Sequence, residues 1–579
     1  MTMLTKWGAA LDRSCPLPEY PRPQLRRESF YNLNGVWDYA VTPSGDEPEI
    51  WDGEIVVPFS PEAPLSGAAR GPAKDEYLHY RRGFTLPEGF QKSRVLLHFG
   101  AVDQIAEVFV NGVSAAKHSG GYWPFSADIT SLLREGENIL RVTVRDNADD
   151  PTFAYGKQRY KRGGMWYTAQ SGIWQTVWLE SVPEVYVKSL RITPEFDEAR
   201  VRIELETALE SSAAITCDVR AADGSFVAGS WAKGGVCVVP LPGFRAWTPD
   251  DPYLYTLDIT CGEDRVESYF AMRKFSYVEL DGHKVFGLNN APLFHNGLLD
   301  QGYYPDGLLT PPSDEAMVND IETMKRCGFN MLRKHIKIEP LRWYYHCDRL
   351  GMIVWQDMVS GGQPYSFLHV SALPTLGKVD LPDQDAKPYG RSGVLSRARF
   401  RREMADTVRL LYNCPCIALW TVFNEAWGQF DALDMANELK KLDPTRFIDH
   451  ASGWQDQGYE EMKSRHIYFR PVKLKNDGRA LALTEYGGYI LTVDGHRWTD
   501  KVFGYRICRN SAALAHDYEK LMLGQVLPHI RKEGLTAAVY TQITDVEEEL
   551  NGLMTYDREV LKIPEETLRE INAALRFDA

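Results

Sequence analysis

Cys416-Ile417-Ala418-Leu419-Trp420-Thr421-Val422-Phe423-Asn424-Glu425 is a short apolar run that stops abruptly at an amide and a carboxylate. A strand this apolar suits burial on both faces of a parallel sheet, with its polar end opening onto a site. Leu481-Ala482-Leu483-Thr484-Glu485-Tyr486-Gly487-Gly488 repeats the design, and its glycine pair lets backbone or ligand approach closely. Two carboxylates offered from two strand ends suit chemistry at a glycosidic bond, where one acid protonates the departing oxygen and a second carboxylate faces it.

The sequence around these runs alternates strand and helix from about Ser276 onward. Pro311-Pro312-Ser313-Asp314-Glu315 reads as a helix start with a cap and an acidic first turn; Met317, Ile321 and Met324 then share a face, and Gly328 ends the helix. Phe329 to Arg333 is read as the next strand. A second helix carries Leu341, Tyr344 and Tyr345, stops at Gly351 and hands over to Met352-Ile353-Val354-Trp355-Gln356-Asp357. Phe400, Met404, Val408 and Leu411 line the helix that leads into the opening strand. Repeated βα units over about 300 residues predict a (β/α)8 TIM barrel, whose reactive groups sit after the strands. Arg333, Asp357, Asn424, Glu425 and Glu485 all fall at such ends. Tyr468 ends the strand before Glu485, within reach of its carboxylate, and Trp454 reads equally as packing or as a sugar platform. The connections 359–393 and 489–510 are long enough for lids or binding loops.

Upstream the pattern is all β. Strand-forming runs such as Val95 to Phe99, Ala106 to Val110 and Asn138 to Val144 carry turn residues between them, and Asn111-Gly112 is a strong hairpin signal. They predict a multidomain β plus α/β chain: an N-terminal jelly-roll β-sandwich over 1–183, an immunoglobulin-like β-sandwich over 184–275 and a C-terminal barrel over 276–579.

The net charge of −14 offers no general attraction to nucleic acid or anionic membranes. Met1 to Pro16 lacks an apolar core of signal-peptide length, and no stretch approaches the roughly 20 apolar residues of a membrane helix. Nine scattered cysteines do not form a disulfide framework, and Cys414-Pro415-Cys416 stands alone as a close pair, so the chain reads as cytoplasmic, with no metal and no cofactor. There is no Gly-x-Ser-x-Gly elbow and no His-Glu-x-x-His. A homo-oligomer and a metal requirement stay open, since no ligand cluster stands out.

Roles follow from the chemistry. Asn424 is placed to donate to a sugar hydroxyl, Glu425 must hold a proton near neutral pH to act as acid, and Glu485 must stay ionised to attack. The residues then meet a known family. Asn32-Leu33-Asn34-Gly35-Val36-Trp37, Val108-Phe109-Val110-Asn111-Gly112, Gly172-Ile173-Trp174-Gln175, Gly328-Phe329-Asn330 with Arg333 and His335, and Trp420 through Glu425 resemble glycoside hydrolase family 2 along nearly the whole chain. The resemblance implies Glu425 as acid/base, Glu485 as nucleophile, retention at a β-linked sugar, and a pocket shaped by Asn424, Arg333, His335, Asp357 and Tyr468. Departures bear on the substrate. Asp300-Gln301 follows the first barrel strand where members carry His; the Arg333-to-His335 spacing is one residue short; Tyr540 and Gln542 stand where a Trp platform is common. Asn551-Gly552-Leu553 replaces the Asn-Lys-Lys with which β-glucuronidases grip a carboxylate, leaving Arg497, Lys501 and Arg506 as other cations for that task. The expectation is an exo-β-glycosidase of β-galactosidase type acting on a carbohydrate substrate. The alternatives are a β-uronidase or a carbohydrate-binding protein with a catalytically dead barrel.

Overall fold

The computed structural model describes residues 3–209, 214–376 and 380–577. The barrel consists of β1 (His295–Asp300), β2 (Met331–Lys334), β3 (Ile353–Asp357), β4 (Ile417–Thr421), β5 (Phe447–Asp449), β6 (Met462–Ile467), β7 (Ala480–Gly487) and β8 (Leu535–Thr541). They form one sheet in the order 5-4-3-2-1-8-7-6, with every laddered pair parallel. Ser464 closes the remaining seam, its Oγ lying 3.0 Å from both Asp449 Oδ1 and the Ala451 carbonyl. All strands except β6 are buried along their whole length. Helices outside and side chains inside leave no solvated face, which is why the sequence shows apolar runs there rather than alternation.

The first barrel helix, Asp314–Arg326, begins where read: Ser313 accepts from the Ala316 amide, and Met317, Ile321 and Met324 are buried. Gly328, at φ 89°, ends it with the Phe329 amide bonded to Met324 O and its own amide to Lys325 O. That cap consumes Phe329, so β2 starts at Met331, two residues later than the apolar pattern suggested. Helix Val394–Leu411 buries Phe400, Met404, Val408 and Leu411 against the core.

Two sandwiches precede the barrel. In the first, a six-stranded antiparallel sheet (Gly53–Val57, Gly35–Thr42, Tyr77–Phe84, Asn138–Arg145, Ile105–Val110, Val113–Ser119) packs on a four-stranded one (Tyr31–Asn32, Val177–Val182, Arg94–Phe99, Phe125–Asp128). Asn111 and Gly112 turn its hairpin with φ 51° and 82°, the left-handed pair that a tight two-residue turn requires. The second sandwich pairs Val187–Glu195, Arg200–Thr207 and Val236–Pro240 with a sheet of Phe226–Lys233, Ala214–Arg220, Tyr255–Cys261 and Asp264–Phe270. A small sheet, Phe275–Leu280, His283–Leu288 and Ala291–Pro292, then caps the barrel floor, where Phe286 stacks on Phe447 at 4.2 Å. The cysteines are free thiols, all buried except Cys15. Among the described residues no helix is long and apolar enough to cross a membrane.

Candidate active site

Strands β4 and β7 deliver Glu425 and Glu485 to the same pocket. Together with His466 they each present an atom within 4.8 Å of the others. Glu425 lies four residues past β4 in a turn, with its own φ at 50° and that of Ala426 at 61°. Two successive non-glycine residues in the left-handed region are unusual, and such strain concentrates at functional sites. The turn is held by the Glu425 amide, which donates to Ser452 O at 2.9 Å. Glu485 sits on β7 itself and is 5% exposed.

The buried Arg333 organises the floor with all five of its donors. Its Nε and Nη2 clasp the two oxygens of Asp357 at 3.0 Å each, Nη2 also reaches Asn424 Oδ1 at 2.8 Å, and Nη1 reaches the Thr484 carbonyl and Glu485 Oε1 at 3.1 Å each. Burial alone would raise Asp357, but Arg333 and His335 hold it at about 2. His335, held down to about 3 by burial, is neutral. Its Nδ1 therefore carries the proton and donates to Asp357 Oδ2 at 3.1 Å. The expected Arg333, His335, Asp357, Asn424, Glu425 and Glu485 thus form one connected group.

The two glutamates differ in their partners. Glu485 accepts from Arg333 on one oxygen and from the Tyr468 hydroxyl on the other, at 2.5 Å. Burial raises it, Glu425 adds to that, and His466, Arg333 and Tyr468 oppose. Glu425 touches His466 instead, Oε1 to Nδ1 at 2.9 Å, and burial pushes it up to about 7. His466, lowered to about 4 by burial, is neutral, and its tautomer follows from a chain of hydroxyls. Thr484 Oγ1 donates to the Arg465 carbonyl, and Ser452 Oγ donates to Thr484 Oγ1 at 3.0 Å. Ser452 must then accept from His466 Nε2–H at 3.1 Å, which leaves Nδ1 as the acceptor for a protonated Glu425. His466 and Ser452 have no sequence signal; only the seam between β5 and β6 brings them together.

Other expected residues fall around this group. Tyr468 also meets Thr541 Oγ1 at 2.9 Å and stacks on Tyr505 of the 489–510 connection at 4.0 Å. Trp454 stands edge-on to His466 at 5.5 Å. Asn424 Nδ2, Trp454 Nε1 and Gln542 Oε1 are buried with no hydrogen-bond partner among the described residues, so each is free for a ligand hydroxyl. Asp300 is engaged elsewhere, with Lys334 Nζ at 2.6 Å and the Gly302 amide at 2.9 Å, and makes no contact with either glutamate. In the 359–393 connection, Tyr365 lies parallel to Trp427 at 6.4 Å; residues 377–379 of it lie outside the described residues. The late-loop cations have local partners: Arg497 with Asp494 and Asp500, Lys501 with Glu548, Arg506 with Asp517. A side chain at Gly552 would meet the Thr544 carbonyl carbon at 2.0 Å, so Asn551-Gly552-Leu553 has no room for a cation at its middle position.

Among the described residues, Glu425 with His466 and Glu485, and His496 with Asp557 and Glu559, have the spacing of metal ligands. In the first group Arg333 and Tyr468 already occupy both oxygens of Glu485.

Comparison with known proteins agrees with this architecture. The chain matches the sugar binding domain of glycosyl hydrolases family 2 over residues 64–183, glycosyl hydrolases family 2 again over 185–273 and the family's TIM barrel domain over 310–474. The last match stops short of Glu485. A β-galactosidase of Thermoanaerobacter pseudethanolicus is 25% identical over 387 residues, 63% of this chain but 47% of that enzyme, so the chain spans about half the length of that relative. A β-glucuronidase of Paenibacillus borealis is 22% identical over 81% of this chain and 84% of its own length. In fold, a β-glucuronidase from an uncultured Clostridium sp. superposes with a TM-score of 0.75 at 19% identity, covering 95% of this chain and 99% of the other. Three successive domain matches, in the order in which the two sandwiches and the barrel occur, place the chain in glycoside hydrolase family 2.

Proposed function

We propose that the protein hydrolyses terminal β-glycosides by double displacement, with net retention of configuration. The observation that carries this reading is the approach of the two glutamates across His466, whose Nδ1 lies 2.9 Å from Glu425 Oε1 and 3.5 Å from Glu485 Oε2. Carboxyls facing one another this closely suit the roughly 5–5.5 Å separation of retaining enzymes better than the roughly 6.5–9.5 Å that an inverting pair needs to admit a water.

In the first step Glu485 attacks the anomeric carbon while Glu425 gives its proton to the departing oxygen, leaving a sugar ester on Glu485 and an ionised Glu425. In the second, Glu425 takes a proton from water as the water oxygen displaces Glu485. Arg333 and Tyr468 hold the nucleophile's lone pairs in place, and both bonds favour its charged form. The Nδ1 lone pair of His466 favours the protonated form of Glu425, the state that the first step consumes. Asn424 turns its free amide hydrogens toward the sugar, its oxygen being fixed by Arg333.

A β-galactoside and a β-uronide are the two sugar assignments, as for the Thermoanaerobacter and Paenibacillus relatives, and the nature of the group that faces the sugar's substituent decides between them. The free thiols fit a reducing compartment, so the proposal places the enzyme in the cytoplasm. Wild type, Glu425→Ala and Glu485→Ala assayed on nitrophenyl β-glycosides test the reading. It predicts turnover that Glu485→Ala abolishes and Glu425→Ala lowers, the more so the poorer the leaving group; a wild type that binds sugars but cleaves none of the panel sinks it.

A further inference from the structure

Residues 151–168 belong to the first β-sandwich region of the chain, yet they lie across the barrel mouth. Ala154 bridges to Gly361, and the amides of Tyr155 and Gly156 donate to Ser360 O at 3.0 and 2.9 Å. Further on, the Thr168 amide donates to Glu547 at 2.8 Å and the Tyr167 hydroxyl to Glu549 at 2.5 Å. The segment is thus pinned between the connections that follow β3 and β8. Gln158 fixes it from behind, donating to Asp103 and Tyr122 at 3.1 Å each and accepting from the Gln170 amide at 2.8 Å.

Lys157 sits in the middle of this segment and is 6% exposed. Its ammonium faces the rings of Tyr167 and Trp427, 5.4 and 5.7 Å from their centroids, and among the described residues no carboxylate lies within ion-pairing distance of it. Trp427, two residues past Glu425, also stands edge-on to His335 at 6.2 Å, which places the Lys157 ammonium over the pocket. The neighbouring cations are in a different situation: Arg162 has Glu547, Lys501 has Glu548 and Arg506 has Asp517. Aromatic faces attract an ammonium but leave it without an opposite charge. An anionic ligand entering the pocket supplies that charge.

On the reading of this pocket as a β-glycosidase site, the geometry points to Lys157 as the residue that recognises an anionic substituent on the terminal sugar. A uronic carboxylate and a sulfate ester share the required chemistry. Specificity for the barrel's reaction then comes from a segment of the chain that precedes the barrel.

The test compares kcat/KM of wild type, Lys157→Met and Lys157→Arg on nitrophenyl β-glucuronide, β-galacturonide and 6-sulfo-β-galactoside, with the uncharged glucoside and galactoside alongside. Wild type should prefer an acidic member over its uncharged counterpart. Lys157→Met should cut that preference about 100-fold, as losing one partner of a buried charge pair does, and Lys157→Arg should restore much of it. The preferred acidic member tells carboxylate from sulfate. A wild type that favours the uncharged sugar overturns the proposal. So does an equal loss on both kinds of substrate by Lys157→Met, with the basic limb of kcat/KM moved to higher pH, because Lys157 then acts only through Glu425. Calorimetric titration of wild type and Lys157→Met with glucuronate, galacturonate and galactose reads recognition without turnover. Uronate binding that depends on Lys157, in a protein that cleaves none of the panel, would refute the glycosidase reading and keep this one; galactose bound in preference to both uronates would overturn it.

Discussion

The ends of β4 and β7 carry the same side chain in opposite settings. Glu485 stands on its strand with an arginine on one oxygen and a tyrosine on the other. Glu425 stands beyond its strand, in a left-handed turn, against a neutral imidazole that offers a lone pair. Glu485 is buried and Glu425 largely so, and loss of solvent raises both. What separates them is the hydrogen-bond partners each meets: two donors converge on Glu485, and the His466 acceptor lies nearer Glu425, at 2.9 Å, than Glu485, at 3.5 Å. Division of labour between two identical residues is therefore written in their neighbours.

The comparison breaks most visibly at Glu485. Glu485→Ala should lower kcat by about 10⁴-fold or more, since no other group forms the ester. Azide should restore turnover with an α-glycosyl azide as product. Glu425→Ala should give the β-azide instead, with a loss of about 10²- to 10⁴-fold on poor leaving groups and little on dinitrophenyl glycosides. Exchange of these products between the two variants would reverse the assigned roles.

Arg333→Met is expected next. It strips Glu485 and Asp357 of their buried countercharge, so folding should weaken by about 3–5 kcal/mol, read from denaturant unfolding. The acid limb of kcat/KM should move to higher pH, because Glu485 loses the charge that favours its ionised form.

The pH profile sharpens the other side. Glu425 works while protonated and its pKa stands at about 7, so wild-type kcat/KM should fall as pH rises through neutrality. Ser452→Ala frees the His466 tautomer, allowing Nδ1–H to donate to an ionised Glu425. The basic limb should then move to lower pH by about half a unit to one unit, the worth of one hydrogen bond. A limb that stays in place means that the hydroxyl chain does not control the acid.

The sequence made the strand ends legible because a fully buried strand must be apolar until it reaches the pocket, so Asn424, Glu425 and Glu485 stand out against their runs. Arg333 and Asp357 were visible for the same reason. His466 and Ser452 were not, since they belong to β6 and the connection after β5 and meet only where the barrel closes. Lys157 was hidden by distance, lying in another domain. Arg497, Lys501 and Arg506 looked available because sequence shows a cation without showing that Asp494, Asp500, Glu548 and Asp517 fold against it.

The central claim is that Glu485 becomes covalently bound to the sugar while Glu425 manages the proton. Incubation with a dinitrophenyl 2-deoxy-2-fluoro-β-glycoside of the preferred sugar, followed by peptide mass mapping, tests it directly. One fluorosugar should be found on the peptide that holds Glu485. A label on Glu425, or steady hydrolysis of the probe with no label on any peptide, would contradict the account.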